Sequence, residues 1–227
     1  MALKRKLISL GAATALAALC AAPSLANVQI WNFTRSSQHV SNNDFGNSLN
    51  LTSSDAVTLR VTGGSDTKDV TGPDTVQDGK LIWANSNGLG IQNRDEDTGS
   101  PNHSVDSVTS DSDGAFDMVL LEFGATVNLT SLKLNWATGG SSNDKTDISI
   151  LVRDGIESPG LSGKTWVNVL DSNGGNYGAV GDYSNVGLSY YTVNPESIES
   201  TKWLISVYNP VFGAGGSPGN DDFKLIR

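Results

Sequence analysis

Short apolar runs separated by Gly, Asn, Asp, Ser and Thr make up most of the chain beyond its first 26 residues. Many runs alternate apolar and polar side chains, as Leu132-Lys133-Leu134-Asn135-Trp136 does, and this alternation is typical of a strand with one buried face. Helical periodicity is nearly absent, and we expect only one helical turn, at 197–200. The pattern predicts strands at 28–33, 56–61, 80–84, 118–123, 131–136, 148–152, 166–170, 190–193, 203–208 and 223–226.

Glycine-rich polar stretches at 63–66, 173–176 and 215–219 separate these runs and predict turns. Many short strands joined by polar turns indicate an all-β fold, an antiparallel β-sandwich of jelly-roll type. No repeat of fixed period and no linker divides the chain, so residues 27–227 are expected to form a single β-sandwich domain. Trp83, Trp136 and Trp203 lie inside alternating runs, where we expect them in the core.

The first 26 residues have the three parts of a secretory signal peptide. Lys4-Arg5-Lys6 is the basic start, 7–19 is the apolar segment, and Ser24-Leu25-Ala26 is the small-residue cleavage site. Cys20 allows a lipoprotein interpretation, but Leu19 stands where lipid attachment requires a small residue. We therefore expect an exported protein with no membrane insertion after signal cleavage.

The net charge of the chain limits the kinds of molecule that we expect the protein to bind. The whole chain has a net charge of −9, and removing the three basic residues of the signal leaves 12 Lys and Arg against 24 Asp and Glu, a net charge of −12. This balance excludes nucleic acid as an expected partner, because binding it requires a basic surface. It is compatible with divalent cations, which would screen the self-repulsion of the acidic chain.

An acidic loop is the main candidate for metal binding. Clustered carboxylates beside a glycine provide the hard oxygen donors and the tight turn that calcium requires, and Gly114 supplies the turn here. A solvated surface loop without metal is the alternative. The predicted calcium ligands are Asp106, Asp111, Asp113, Asp117 and, just before the last predicted strand, Asp222.

The loop is not an EF-hand. With Gly114 at the sixth position, the loop would begin at Thr109 and end at Leu120, and neither residue has the carboxylate that its position needs. Any calcium site is therefore expected to form between loops at the edge of the sandwich.

Each candidate catalytic motif in the sequence lacks a residue that its chemistry requires. Residues 215–219 match the G-x-S-x-G pattern, but Pro218 lacks the N–H that an oxyanion hole needs. Only His39 and His103 offer imidazoles, and no H-E-x-x-H pair exists, which argues against zinc. We therefore expect no enzyme, with a glycoside hydrolase using paired carboxylates as the third-ranked possibility.

An ordered series of motifs resembles the exosortase-dependent surface proteins of the PEP-CTERM class, which Gram-negative bacteria export. The resemblance covers roughly residues 88–227 and implies a galactose-binding-like sandwich at the cell surface or in the extracellular matrix. Ser107 departs from the asparagine usual after the aspartate, and the Pro-Glu-Pro sorting tail of the class is absent from this chain. The motifs include Gly88-Leu89-Gly90-Ile91, His103-Ser104-Val105-Asp106, Asp117-Met118-Val119-Leu120-Leu121-Glu122-Phe123 and Asp221-Asp222-Phe223-Lys224-Leu225.

Taken together, these features predict a non-enzymatic structural protein of the cell surface or matrix, stabilised by calcium. Its partners would be further copies of itself or a surface polysaccharide. The alternating segment 27–33 is the candidate for self-assembly, because a strand at a free end pairs either with its own sheet or with the edge of a neighbour. A carbohydrate-binding module is the alternative function, and an exposed aromatic pair beside a polar groove would favour it.

Overall fold

The structure, a computed structural model, describes residues 28–34, 40–67, 75–84, 87–94, 104–108, 115–139, 142–153, 160–170, 177–217 and 221–227. The predicted signal peptide and the predicted turn at 173–176 lie outside these residues. Among the described residues, strands account for 58% and helix for 3%, and every described strand pair is antiparallel, so the all-β antiparallel prediction is confirmed. None of the described helices is long and apolar enough to cross a membrane.

The described elements, in chain order, are β1 Ser48–Thr52, β2 Thr58–Thr67, β3 Thr75–Asp78, β4 Lys80–Ala84, β5 Gly88–Gln92, β6 Val105–Val108, β7 Ala115–Asn128, β8 Ser131–Leu132, β9 Leu134–Gly139, β10 Ser142–Asn143, β11 Lys145–Arg153, α1 Trp166–Leu170, β12 Gly178–Gly187, β13 Tyr191–Thr192, β14 Glu199–Val207 and β15 Asp222–Leu225.

These strands form a sandwich-like arrangement of two layers. In the first layer β2 pairs with β1, β3 and β7, and the sheet continues through β14 and β11 to β12. In the second layer β4 pairs with β5, which pairs with β15, and β9 and β10 follow. Strand β6 pairs with both β15 and β7 and so connects the layers. The finer description, jelly-roll and galactose-binding-like, stays a prediction.

The main core lies between the layers. Leu121 and Ile205 from the first layer pack in one buried cluster with Leu89 and Phe223 from the second. Trp203 is fully buried there, as predicted, whereas Trp136 is only half-buried. The side chain of Trp83 lies outside the described part of the structure. Burying these apolar faces is the dominant favourable contribution to folding.

A second apolar cluster covers the opposite face of the first layer. Strand β7 has apolar residues on both faces, since Met118 packs in this second cluster while Val119 packs in the main core. Trp166 and Val169 of α1 join Met118, and Trp166 meets the ring of Phe212 edge-to-face with centroids 5.4 Å apart. A strand covered on both faces is expected to be a continuous apolar run, as 118–121 is.

The predicted strand at 166–170 is therefore wrong, because this short run forms α1. The Val169 N–H donates to the Thr165 carbonyl at 3.0 Å, which closes one helical turn. That turn brings Trp166 and Val169, at spacing i and i+3, to the same buried side. A short apolar run fits either a strand or a helix, and tertiary packing decided this one.

The predicted turn at 63–66 is also wrong, because these residues continue β2. Glycine is needed there for close approach: a Cβ on Gly63 would collide with Ile91 Cδ1, and one on Gly64 would collide with Met118 Cε. The predicted helical turn at 197–200 is wrong as well, since Glu199 already begins β14.

Candidate functional sites

Three of the five predicted calcium ligands meet at one end of the sandwich, which we call the aspartate end. Asp106 on β6 lies directly opposite Asp222 on β15. The Asp106 backbone N–H donates to Asp117 Oδ2 at 3.4 Å. Asp111 and Asp113 lie outside the described residues, so their prediction is not tested.

Asp221, next to the predicted Asp222, is the interior member of the pair. It is 2% exposed, and the alternation of β15 places it on the same face as the buried Phe223. Its Oδ1 accepts the Asp147 N–H at 2.8 Å and the Thr146 hydroxyl at 3.3 Å. Within the described part of the chain, Asp221 Oδ2 is buried with no hydrogen-bond donor.

Burial controls the electrostatics of this pair. Loss of hydration raises the pKa of Asp221 to about 7, and the nearby negative charges of Asp147 and Asp222 act in the same direction. Burial also raises the pKa of Asp222, although the bonds that its Oδ1 accepts from Thr138 N–H and Oγ1, at 3.1 and 2.7 Å, oppose the shift. Part of the buried negative charge is therefore neutralised by protons near neutral pH.

Other aspartates at this end hold loops to the sheets. Asp66 accepts the Trp166 indole N–H at 2.5 Å, and Asp147 accepts the Asn185 and Ser217 N–H groups at 2.7 and 3.1 Å. The Trp166 indole is buried, so without Asp66 its N–H would lose this acceptor in the interior, whereas the Asn185 and Ser217 bonds lie at the surface. These carboxylates thus have a structural use that requires no metal.

The fit to calcium is incomplete in the described residues. Over the ranges given above, no group of three or more His, Cys, Asp or Glu side chains is arranged to hold a metal ion. Calcium needs six to eight oxygen ligands. A calcium site at this end would therefore depend on Asp111 and Asp113, and it stays a prediction.

The opposite end of the sandwich contains an apolar groove. Strand β7 runs from the aspartate end to this end, where Phe123 and Val127 line the groove. Its cavity measures about 180 Å³, and Leu121, Ile205 and Leu225 form its inner wall. For comparison, an apolar cavity of about 150 Å³ accommodates a benzene-sized ligand.

The N-terminal segment 28–33 forms part of the wall of this groove and forms no strand, so the strand predicted there is wrong. Residues 28–32 are irregular, and 33–34 form a turn. Asn32 Oδ1 accepts the Thr34 N–H at 2.8 Å, a local bond that favours a turn. A backbone bond attaches the segment to the sandwich, from Phe33 N–H to the Ile226 carbonyl at 3.0 Å.

The apolar side chains of this segment lie on two sides, one buried and one exposed, although the segment forms no strand. Phe33 is 2% exposed, and Trp31 packs edge-to-face on Phe123 with centroids 4.9 Å apart. On the other side Val28 and Ile30 are 87% and 56% exposed. Half of the apolar side chains of the segment therefore face outward.

Comparisons with protein-family models, with curated proteins and with solved structures find no match for this chain. The geometry of the two ends is thus the basis for a functional proposal.

Proposed function

We propose that this protein is an exported, non-enzymatic structural protein of the cell surface or extracellular matrix. In this proposal, copies associate by donating segment 28–33 to the apolar groove of a neighbouring copy. The observation that carries the proposal is an apolar segment that lines the groove without joining either sheet. The resemblance of the sequence to the PEP-CTERM class supports a surface location in a Gram-negative bacterium. Calcium at the aspartate end would stabilise each copy.

The seating of the segment within one copy is imperfect, which lowers the cost of releasing the segment. Among the described residues, Trp31 Nε1 and Gln29 Oε1 are buried with no hydrogen-bond partner. Each such group costs about 1–3 kcal/mol. When two copies exchange this segment, each contact with the groove is replaced by the same contact in the other copy, so the cost is low. If each copy donates its segment to the next copy, an open chain of protein molecules forms.

The exposed apolar side chains also point to association. Val28 and Ile30 add apolar area beside the groove and continue the surface formed by Tyr190, which is 51% exposed. A contiguous exposed apolar patch marks an interaction surface more often than scattered residues do.

Sedimentation over a range of concentrations tests this proposal on the mature protein and on a variant lacking residues 28–33. The intact protein is expected to form dimers and larger species, and the deletion variant to stay folded and monomeric. Val167→Ser is the matched control, because Val167 is 64% exposed on α1, away from the groove. A strictly monomeric intact protein at high concentration with calcium would contradict the proposal.

A carbohydrate-binding module is the second candidate, and exposed aromatic side chains favour it. Tyr190 is 51% exposed, and Trp136 is half-buried on the outer side of β9. Polar groups accompany them, since Thr138 follows Trp136 two positions later on the same strand. Aromatic faces beside polar side chains are a common means of holding a ligand.

A further inference from the structure

Two cationic side chains surround the exposed ring of Tyr190. Lys133 Nζ lies 5.5 Å from the ring centroid, and Arg227 Cζ lies 5.9 Å from it. Arg227 Nη1 also donates to the Tyr190 hydroxyl at 2.6 Å. These contacts fix the ring in an electropositive setting while 51% of the residue stays exposed.

A second pair of the same kind lies further along the outer face of the second layer. Lys224 on β15 is directly opposite Trp136 on β9, with its Nζ 6.0 Å from the indole centroid. The two groups lie on the same two stretches of backbone, because Trp136 follows Lys133 by three residues and Arg227 follows Lys224 by three residues. Lys133 and Trp136 are roughly 10 Å apart along an extended chain.

We call this surface the cationic strip, and it comprises Lys133, Trp136, Tyr190, Lys224 and Arg227. Among the described residues, its three cations form no ion pair with a carboxylate, whereas Arg60 and Lys202 both pair with Glu122. The nearest acidic neighbour along β15, Asp222, has its Oδ1 bonded to Thr138. Three cations that form no ion pair within the described residues therefore lie on this surface, although the charge of Lys224 also acts on the carboxylate of Asp222.

We propose that the cationic strip binds an anionic polysaccharide whose sugar rings carry carboxylate groups. The rings would pack on Tyr190 and Trp136, and the carboxylates would meet Lys133, Lys224 and Arg227. This inference rests on the second candidate function, carbohydrate binding, and it shares Tyr190 with the surface proposed for segment exchange. To that candidate function it adds the location of the binding site and the negative charge of the ligand.

Charge density favours a polysaccharide over a nucleic acid. Duplex DNA carries one negative charge about every 1.7 Å, so a bound duplex would also meet the acidic remainder of the protein. A polymer with one carboxylate per sugar spreads its charge more widely, which suits a few cations spaced along roughly 10 Å. The strip overlaps the rim of the groove at Tyr190 and Arg227, whereas Lys133, Trp136 and Lys224 do not line the groove.

Isothermal titration with polygalacturonate, dextran and single-stranded DNA, at about 0.15 M salt, tests the inference on the mature protein. Polygalacturonate is expected to bind, and dextran and DNA to bind at least roughly tenfold more weakly. The double variant Lys224→Gln with Arg227→Gln, and separately Trp136→Ala, should each weaken polygalacturonate binding by roughly tenfold or more. Lys145→Gln, at an exposed lysine outside the strip, is the control and should bind as the parent does.

Thermal melts of each variant show whether it is folded, and the glutamine variants alter only partly or fully exposed side chains. Equal binding of dextran and polygalacturonate, unaffected by the glutamine variants, would keep carbohydrate binding but overturn the anionic ligand. Equal binding of DNA would overturn the inference by making the strip a general polyanion surface. No binding of either polysaccharide would refute both the inference and the second candidate function.

Discussion

Asp221→Asn should remove a pH dependence from the stability of the folded protein. In the wild type, burial of Asp221 raises the pKa of its carboxyl from 3.8 to about 7. The folded state therefore holds a proton that the unfolded chain releases at a lower pKa. The substituted amide would keep the oxygen that accepts the Asp147 N–H but would not titrate.

The sign and size follow from proton linkage. Because the folded-state pKa lies above the unfolded value, the stabilising contribution is complete below pH 3.8 and is lost as the pH rises through about 7. A shift of about 3 units corresponds to roughly 4 kcal/mol in the free energy of unfolding. Roughly 2–3 kcal/mol of this loss falls between about pH 5 and pH 7. The raised pKa of Asp222 contributes in the same direction.

Urea unfolding of both proteins, followed by the fluorescence of the buried Trp203, measures the difference at each pH from about 5 to 8. Taking the difference removes the contribution of the other carboxylates. Asp221→Asn should be close to the wild type near pH 5 and more stable than it near pH 8. Asp144→Asn, at an exposed aspartate, is the matched control for the substitution itself. Parallel curves for the wild type and Asp221→Asn would refute the reasoning.

Three further changes test other parts of the account. Calcium should raise the melting temperature of the mature protein, by mass action on the folded state, and Asp111→Ala with Asp113→Ala should abolish the increase; melts with calcium and with chelator measure it. Trp166→Phe removes the indole N–H that Asp66 accepts, and it should lower the free energy of unfolding by about 2 kcal/mol in urea titrations. Gly88→Ala should cost about 1–3 kcal/mol, because Gly88 has a φ of +92° and an added Cβ would lie 2.6 Å from the Leu225 carbonyl oxygen; Gly160→Ala, with open space around it, is the control and should be nearly neutral.

The fold class could be predicted because the strands show the alternation of apolar and polar residues directly in their sequences. The prediction 80–84 coincides with β4, and 118–123 lies within β7. Strand β12 was missed because Gly178–Gly187 has few large apolar residues and lies at the edge of its sheet, where little needs to be buried. The segment 28–33 has the alternation of a strand, but pairing depends on a neighbouring edge that sequence does not show.

The aspartate end could be predicted only in part. Acidic clustering located Asp106 and Asp117, and the structure brings them together. The interior position of Asp221 could have been inferred from its spacing to Phe223 and Leu225, which the alternation places on the buried face. Asp66 and Asp147 gave no local signal, because their partners Trp166 and Ser217 are distant in sequence.

Donation of the N-terminal segment between copies is the central claim, and a peptide tests it most directly. A labelled peptide with the sequence of residues 28–34, Val-Gln-Ile-Trp-Asn-Phe-Thr, is added to the protein lacking those residues, and fluorescence anisotropy is measured. Saturable binding is predicted, and it should weaken strongly when alanine replaces Trp31 in the peptide, because that ring packs on Phe123. A peptide that fails to bind a folded, groove-bearing protein would contradict the account.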